Sequence, residues 1–286
     1  MAGGPAVIGA LPLPAPLDTA DVQRALLACV AVGTFAPTIG AFLVQKRLSL
    51  IGDGVGHVAF AGVGLGLLVG VWPVWTALAF AVAGAVGLEL LRAKRRVAGD
   101  LALALFFYAG IALGVVFAAK AGDLDLETLP YLFGDPLRMS VGGLVAVLLV
   151  GAVVAVAIWS LRRVLFAVVS DEGWARVEGL PVDTLGVALA ALTAAVIVAG
   201  MKVVGLLLMA ALMVLPVASA QLLARSFRQT VWVAALIGAA SAFVGVVVGQ
   251  VFHLSISGSI VLVAAAVFTV ASLARRALPA VIGSAA

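Results

Sequence analysis

Val141-Gly-Gly-Leu-Val-Ala-Val-Leu-Leu-Val-Gly-Ala-Val-Val-Ala-Val-Ala-Ile158 is an unbroken apolar run with no charge in it. As a helix rising 1.5 Å per residue it covers roughly 27 Å, close to the ~30 Å hydrocarbon core of a bilayer. Runs of this kind recur along nearly the whole chain. Of its 286 residues 65% are hydrophobic and 10% charged, and the mean hydropathy is +1.28. A water-facing surface needs more charge than that. The expected fold is therefore all-α and polytopic, a membrane protein. A β-barrel is excluded because its strands would alternate polar and apolar residues. The single cysteine, Cys29, lies inside an apolar run, which rules out a disulfide framework and a cysteine-rich metal site. The net charge of +4 comes from loops, and no nucleic acid partner is expected.

Nine spans are expected, over 22–44, 50–70, 74–91, 101–119, 140–158, 184–200, 203–223, 231–251 and 259–274. Several are shorter than the twenty or so residues of a perpendicular crossing, so eight spans with one re-entrant or broken segment is the alternative. Residues 1–21 are expected to form a flexible tail, with no basic residue ahead of an apolar stretch and hence no signal peptide. One transmembrane domain is expected over 22–276, and a C-terminal tail over 277–286. Alternate loops carry 13 of the 17 Lys and Arg residues. Basic loops face the cytoplasm, which places the N-terminus outside and the C-terminus inside.

Two connections are longer than a turn. The outer one, 120–138, holds Asp123, Asp125, Glu127 and Asp135, a solvated acidic loop or a mildly negative mouth that concentrates cations. In the inner one, 159–183, Ser170 is expected to cap a short helix with Asp171 and Glu172 in its first turn, ended by Gly179 and Pro181. Trp174 and Val177 would share one face of it, for the membrane interface or for a partner.

A charge inside a span costs at least ~2.5–3.5 kcal/mol near the bilayer centre, so the few present are informative. Asp53 and His57 stand four residues apart in Ser49-Leu-Ile-Gly-Asp53-Gly-Val-Gly-His57, which puts carboxylate and imidazole on one helical face. Together they could give a divalent cation two ligands, with nitrogen and oxygen donors suited to zinc or manganese. A helix-gluing hydrogen bond or a proton relay accounts for the pair as well. Glycines at 52, 54, 56, 62, 64 and 66 let neighbouring helices come close. His253 falls in an outer loop, Glu89 lies three residues before Arg92 so that snorkelling and an ion pair with it account for the charge, Lys202 sits close to the outer face, and Pro216 interrupts a span. No Gly-x-x-x-x-Gly-Lys-Ser/Thr stretch is present, so any ATP-driven role needs a second polypeptide.

These residues resemble the membrane permeases of metal-uptake ABC transporters, the zinc, manganese and iron group. The likeness is carried by Arg47-Leu-Ser-Leu-Ile-Gly-Asp53-Gly-Val-Gly-His57, by Leu129-Pro-Tyr-Leu-Phe-Gly-Asp135, by 201–216 with its Lys202 and Pro216, and by Ile256-Ser-Gly-Ser-Ile-Val-Leu262. What the resemblance implies is a permease in the bacterial plasma membrane with no permanently bound cofactor. It imports a divalent cation, zinc ahead of manganese. It further implies a homodimer, a cytoplasmic ATPase dimer, and an extracytoplasmic metal-binding protein. Asp53 and His57 match the family's metal-contacting aspartate and histidine. A cytoplasmic coupling segment is implied over 165–183, with Asp171, Trp174, Ala175 and Gly179 meeting the ATPase. The place of a further histidine found in zinc permeases is taken by Tyr108. A proton-coupled secondary carrier and an ABC permease for a metal chelate are the rivals.

Overall fold

A computed structural model describes residues 17–93, 99–122 and 128–283. Lys94, Arg95 and Arg96, the acidic Asp123, Asp125 and Glu127, and most of the expected N-terminal tail lie outside the described residues. Those that are described form helices and turns, with no strand among them. The order is α1 (Ala20–Gln45), α2 (Ile51–Val69), α3 (Pro73–Ala93), α4 (Gly99–Ala121), α5 (Leu129–Phe133), a 3-10 turn (Pro136–Arg138), α6 (Val141–Ser170), α7 (Glu172–Val177), α8 (Val182–Met201), α9 (Leu206–Leu223), α10 (Phe227–Val251) and α11 (Ile256–Gly283). Nine of the described helices, all but α5 and α7, are long and apolar enough to cross a membrane. The eight-span alternative finds no support.

Local chemistry sets the helix boundaries. Thr19 caps α1, its hydroxyl accepting from the Val22 N–H, and Asp21 adds a carboxylate in the first turn. Gly70, at φ +74°, ends α2 and lets the chain turn into α3. The largest departure from expectation is α6, which does not stop at Ile158 but runs on to Ser170. Nothing in Trp159–Val169 breaks a helix, since it contains neither proline nor glycine. The break falls at Asp171, whose extended backbone (φ −152°) and side chain, accepting from the Trp174 N–H at 2.9 Å, start α7. Asp171, not Ser170, is therefore the cap. At the far end α11 continues through 277–283, where a tail was expected.

Helix packing in a bilayer gains little from excluding water, so close approach of small residues carries much of it. A Cβ on Gly62 would lie 2.5 Å from the Thr76 carbonyl oxygen of α3, and one on Gly64 would lie 2.7 Å from the Gly114 carbonyl oxygen of α4. Helix α2 is thereby held between α3 and α4 and touches α8 and α9 as well. It is among the most buried spans, whereas α4 and α6 leave most of their surface open. Between α4 and α6 the short α5 and the 3-10 turn tuck against the α8–α9 connection, where the Asp135 N–H donates to the Lys202 carbonyl at 3.1 Å.

Candidate cation-binding site and coupling helix

Helix α2 starts five residues after Lys46, the residue that caps the C-terminus of α1. Asp53 falls in its first turn, against the positive end of the helix dipole, which favours a carboxylate. His57 follows one turn further in, roughly 6 Å along the axis. The pair lies toward the end of the bundle that carries Lys46 and Arg92 rather than midway between the two ends.

His57 is 8% exposed and its Nδ1 is buried with no hydrogen-bond partner. Its ring meets the edge of Phe107 with centroids 4.4 Å apart, and its backbone lies so close to α4 that a Cβ on Gly110 would come within 2.6 Å of the His57 carbonyl carbon. Asp53 is half-buried. Asp53 and His57 do not bond to each other, and neither has a hydrogen-bonding or ionic partner among the described residues. The reading of the pair as helix glue thus finds no bond to rest on. A buried polar atom left unsatisfied costs about 1–3 kcal/mol, a cost that a ligand on Nδ1 would remove. One chain supplies only this pair: among the described residues no group of three or more His, Cys, Asp or Glu side chains converges.

The other polar candidates lie elsewhere. His253 is exposed in the turn after α10, at the end of the bundle opposite the start of α2. Tyr108 is 68% exposed and touches Phe107, not His57. The Lys202 ammonium stands over the rings of Trp72 (5.3 Å) and Tyr131 (4.9 Å), and burial pushes its pKa down. It lines a cavity of about 900 Å3 with Trp75, Asp135 and Arg138. A second cavity of about 530 Å3 lies between α2, α3 and α4. Neither is lined by Asp53 or His57.

Glu89, expected to pair with Arg92 alone, belongs to a larger set that sequence reading missed. Lys46 Nζ lies 2.7 Å from Glu89 Oε1 and 3.2 Å from Glu172 Oε1, and Arg92 Nη2 lies 3.0 Å from Glu89 Oε1 and 2.6 Å from Glu172 Oε1. Gly186 of α8 makes room for it, since a Cβ there would meet Glu89 Oε1 at 2.3 Å. Sequence separations of 43 and 80 residues hid these contacts. On α7, Trp174 and Val177 are 56% and 86% exposed on a shared face. Ala175, expected among the residues that meet the ATPase, is fully buried instead and packs α7 onto the bundle. Gly179, at φ +78°, allows the left-handed turn that ends α7.

The sequence model of the ABC 3 transport family matches residues 19–275. The chain belongs to that family. It is 30% identical over 254 residues to the manganese transport system membrane protein MntC of Listeria monocytogenes, which covers 88% of this chain and 90% of the relative. It is 29% identical over 253 residues to the chelated iron transport system membrane protein YfeD of Yersinia pestis, covering 88% and 84%. Among solved structures it is similar to PsaBC from Streptococcus pneumoniae in complex with Fab, with a TM-score of 0.78, 28% identity, and coverage of 88% of this chain and 91% of that one. The protein is a multi-pass membrane permease of an ABC-type metal importer, without an ATPase site of its own.

Proposed function

We propose that the cargo is a free divalent transition-metal cation, manganese or ferrous iron ahead of zinc, and that Asp53 and His57 are its ligands in transit. The observation that carries this reading is the buried, unpartnered His57 Nδ1 one turn from an unpaired carboxylate. Sequence reasoning puts zinc first, but one carboxylate and one imidazole suit manganese, iron and zinc alike. The names of the relatives favour manganese and iron, and no cysteine stands near Asp53 and His57 in sequence to favour a softer metal. A large chelate has less use for such a pair.

Two donors leave a cation under-coordinated. A second copy of the chain, related by a two-fold axis, would bring the number to four, and homodimerisation is part of the proposal. The basic end of the bundle faces the cytoplasm, the termini lie outside (N) and inside (C), and α7 presents Trp174 and Val177 to an ATPase subunit. An extracytoplasmic metal-binding protein delivers the cation at the other face. Incomplete coordination suits a carrier, because the ion must also leave.

Reconstitution of the permease with its partner ATPase and binding protein in liposomes tests the assignment. ATP-dependent uptake of radiolabelled manganese, competed by ferrous iron more strongly than by zinc, is the expected result. Uptake driven by a proton gradient in liposomes lacking the ATPase would replace this reading with the secondary carrier.

A further inference from the structure

The four charges near the basic end of the bundle close into a ring. Lys46 touches Glu89 and Glu172, and Arg92 touches the same two carboxylates, so each cation is shared by both anions and the set is neutral. Arg92 adds a second bond, Nε to Glu89 Oε2 at 3.1 Å. The side chains of Lys46 and Glu89 are 4% and 7% exposed. Water therefore screens the Lys46–Glu89 pair weakly, while Arg92 and Glu172, 24% and 35% exposed, close the ring at its wetter side. Three segments distant in sequence meet here: the end of α1, the end of α3, and the start of α7.

One member of the ring is tied directly to the cation site. The turn from α1 to α2 is short and internally bonded: the Leu48 N–H donates to the Leu43 carbonyl (2.8 Å) and the Ile51 N–H to the Leu48 carbonyl (3.0 Å). Arg47 between them sits at φ +59°, a left-handed conformation that a non-glycine residue holds only when its surroundings impose it. Asp53 comes in the first turn after this connection. A shift of Lys46 is thus passed to α2 through a turn with little slack.

We infer that Glu172 is a positioning residue for transport: through the ring it makes α7, the end of α1 and the end of α3 move as one body, so that displacement of α7 reaches Asp53 through the Arg47 turn. This rests on the reading of α7 as the helix that meets the ATPase. The exposed face of α7 does the meeting, and Glu172, on the side of Lys46 and Arg92, passes the movement on.

Glu172→Gln tests it in the full complex of permease, ATPase and binding protein. The variant keeps the shape of the side chain, removes its charge, and leaves Lys46 and Arg92 paired with Glu89. The expected result is unchanged co-purification with the ATPase and unchanged ATP hydrolysis, with radiolabelled manganese moved per ATP reduced about fivefold or more. Asp18→Asn, at an exposed position ahead of the opposite end of α1 with no ion pair among the described residues, leaves that ratio unchanged. Replacing the ionic link by a covalent one is the second measurement. Lys46→Cys with Glu172→Cys transports poorly before, and recovers most of its manganese per ATP after, bridging with a short thiol-specific cross-linker. A wild-type ratio in Glu172→Gln overturns the inference. So does loss of the ATPase from that variant, which would make Glu172 a docking group, and so does its failure to accumulate in the membrane, or bridging without recovery. If the unaltered permease does not bind the ATPase, the function proposed above fails instead.

Discussion

Asp53 and His57 sit one helical turn apart on α2, yet neither bonds to the other and the buried Nδ1 of His57 has no hydrogen-bond partner among the described residues. An aspartate and a histidine at this spacing could satisfy each other at little cost. That they do not is what the proposed transit of a cation past them requires.

Asp53→Ala and His57→Ala are each expected to lower manganese uptake about tenfold or more, equivalent to ~1.4 kcal/mol in cation binding. Protein levels in the membrane should stay near wild type, because neither side chain has a hydrogen-bonding or ionic partner among the described residues. Uptake at the wild-type rate in either variant, at equal protein levels, would remove the site assignment.

Gly110 sets the distance between α4 and the backbone of His57. Gly110→Ala places a methyl against main-chain atoms that cannot swing aside and is expected to destabilise the protein by about 1–3 kcal/mol. Gly142→Ala on α6, where the nearest atom is 4.0 Å away, should be close to neutral. Thermal unfolding of the two purified variants in detergent compares them. Equal midpoints would mean that α4 and α2 are less tightly fitted than the geometry implies.

Acid should separate the cation site from the ionic ring. An imidazole binds a metal only when neutral, so uptake is expected to fall as acid protonates it. Burial alone would raise Glu172, but the hydrogen bond from Arg92 and the charges of Lys46 and Arg92 outweigh it and hold its carboxyl below the ordinary range. A carboxylate depressed in the folded state stabilises fully above its ordinary pKa, and that contribution is lost only as pH falls through the depressed value. The ring therefore stays charged across the window in which uptake declines. Manganese uptake and the unfolding midpoint of the purified permease in detergent, measured over the same pH series, should diverge. A parallel decline would move the acid sensor to the ring.

Much of this architecture was legible in the residues because a bilayer leaves so little choice. Without water in the hydrocarbon core the backbone must bond within each segment, and every long apolar run became a helix. The Asp53 and His57 spacing was legible for the same reason, since a four-residue interval has one meaning on a helix. Three things were not. The length of α6 was hidden because Arg162 and Arg163 end a hydrophobic run without ending a helix. The burial of Ala175 depends on which way a six-residue helix rolls, and its own composition does not fix that. Glu89 read as a local partner of Arg92, and only the folded chain brings Lys46 and Glu172 to it.

The thirty residues of α6 make a rod of roughly 45 Å, some 15 Å more than the hydrocarbon core requires. The surplus carries α7 as a crosspiece at its end. Height and compass bearing of that crosspiece are counted in amino acids: one inserted between Ser160 and Ser170 would lift it by about 1.5 Å and swing it through about 100°. On the proposed reading of α7, the tally of residues along this stretch is itself part of the machinery.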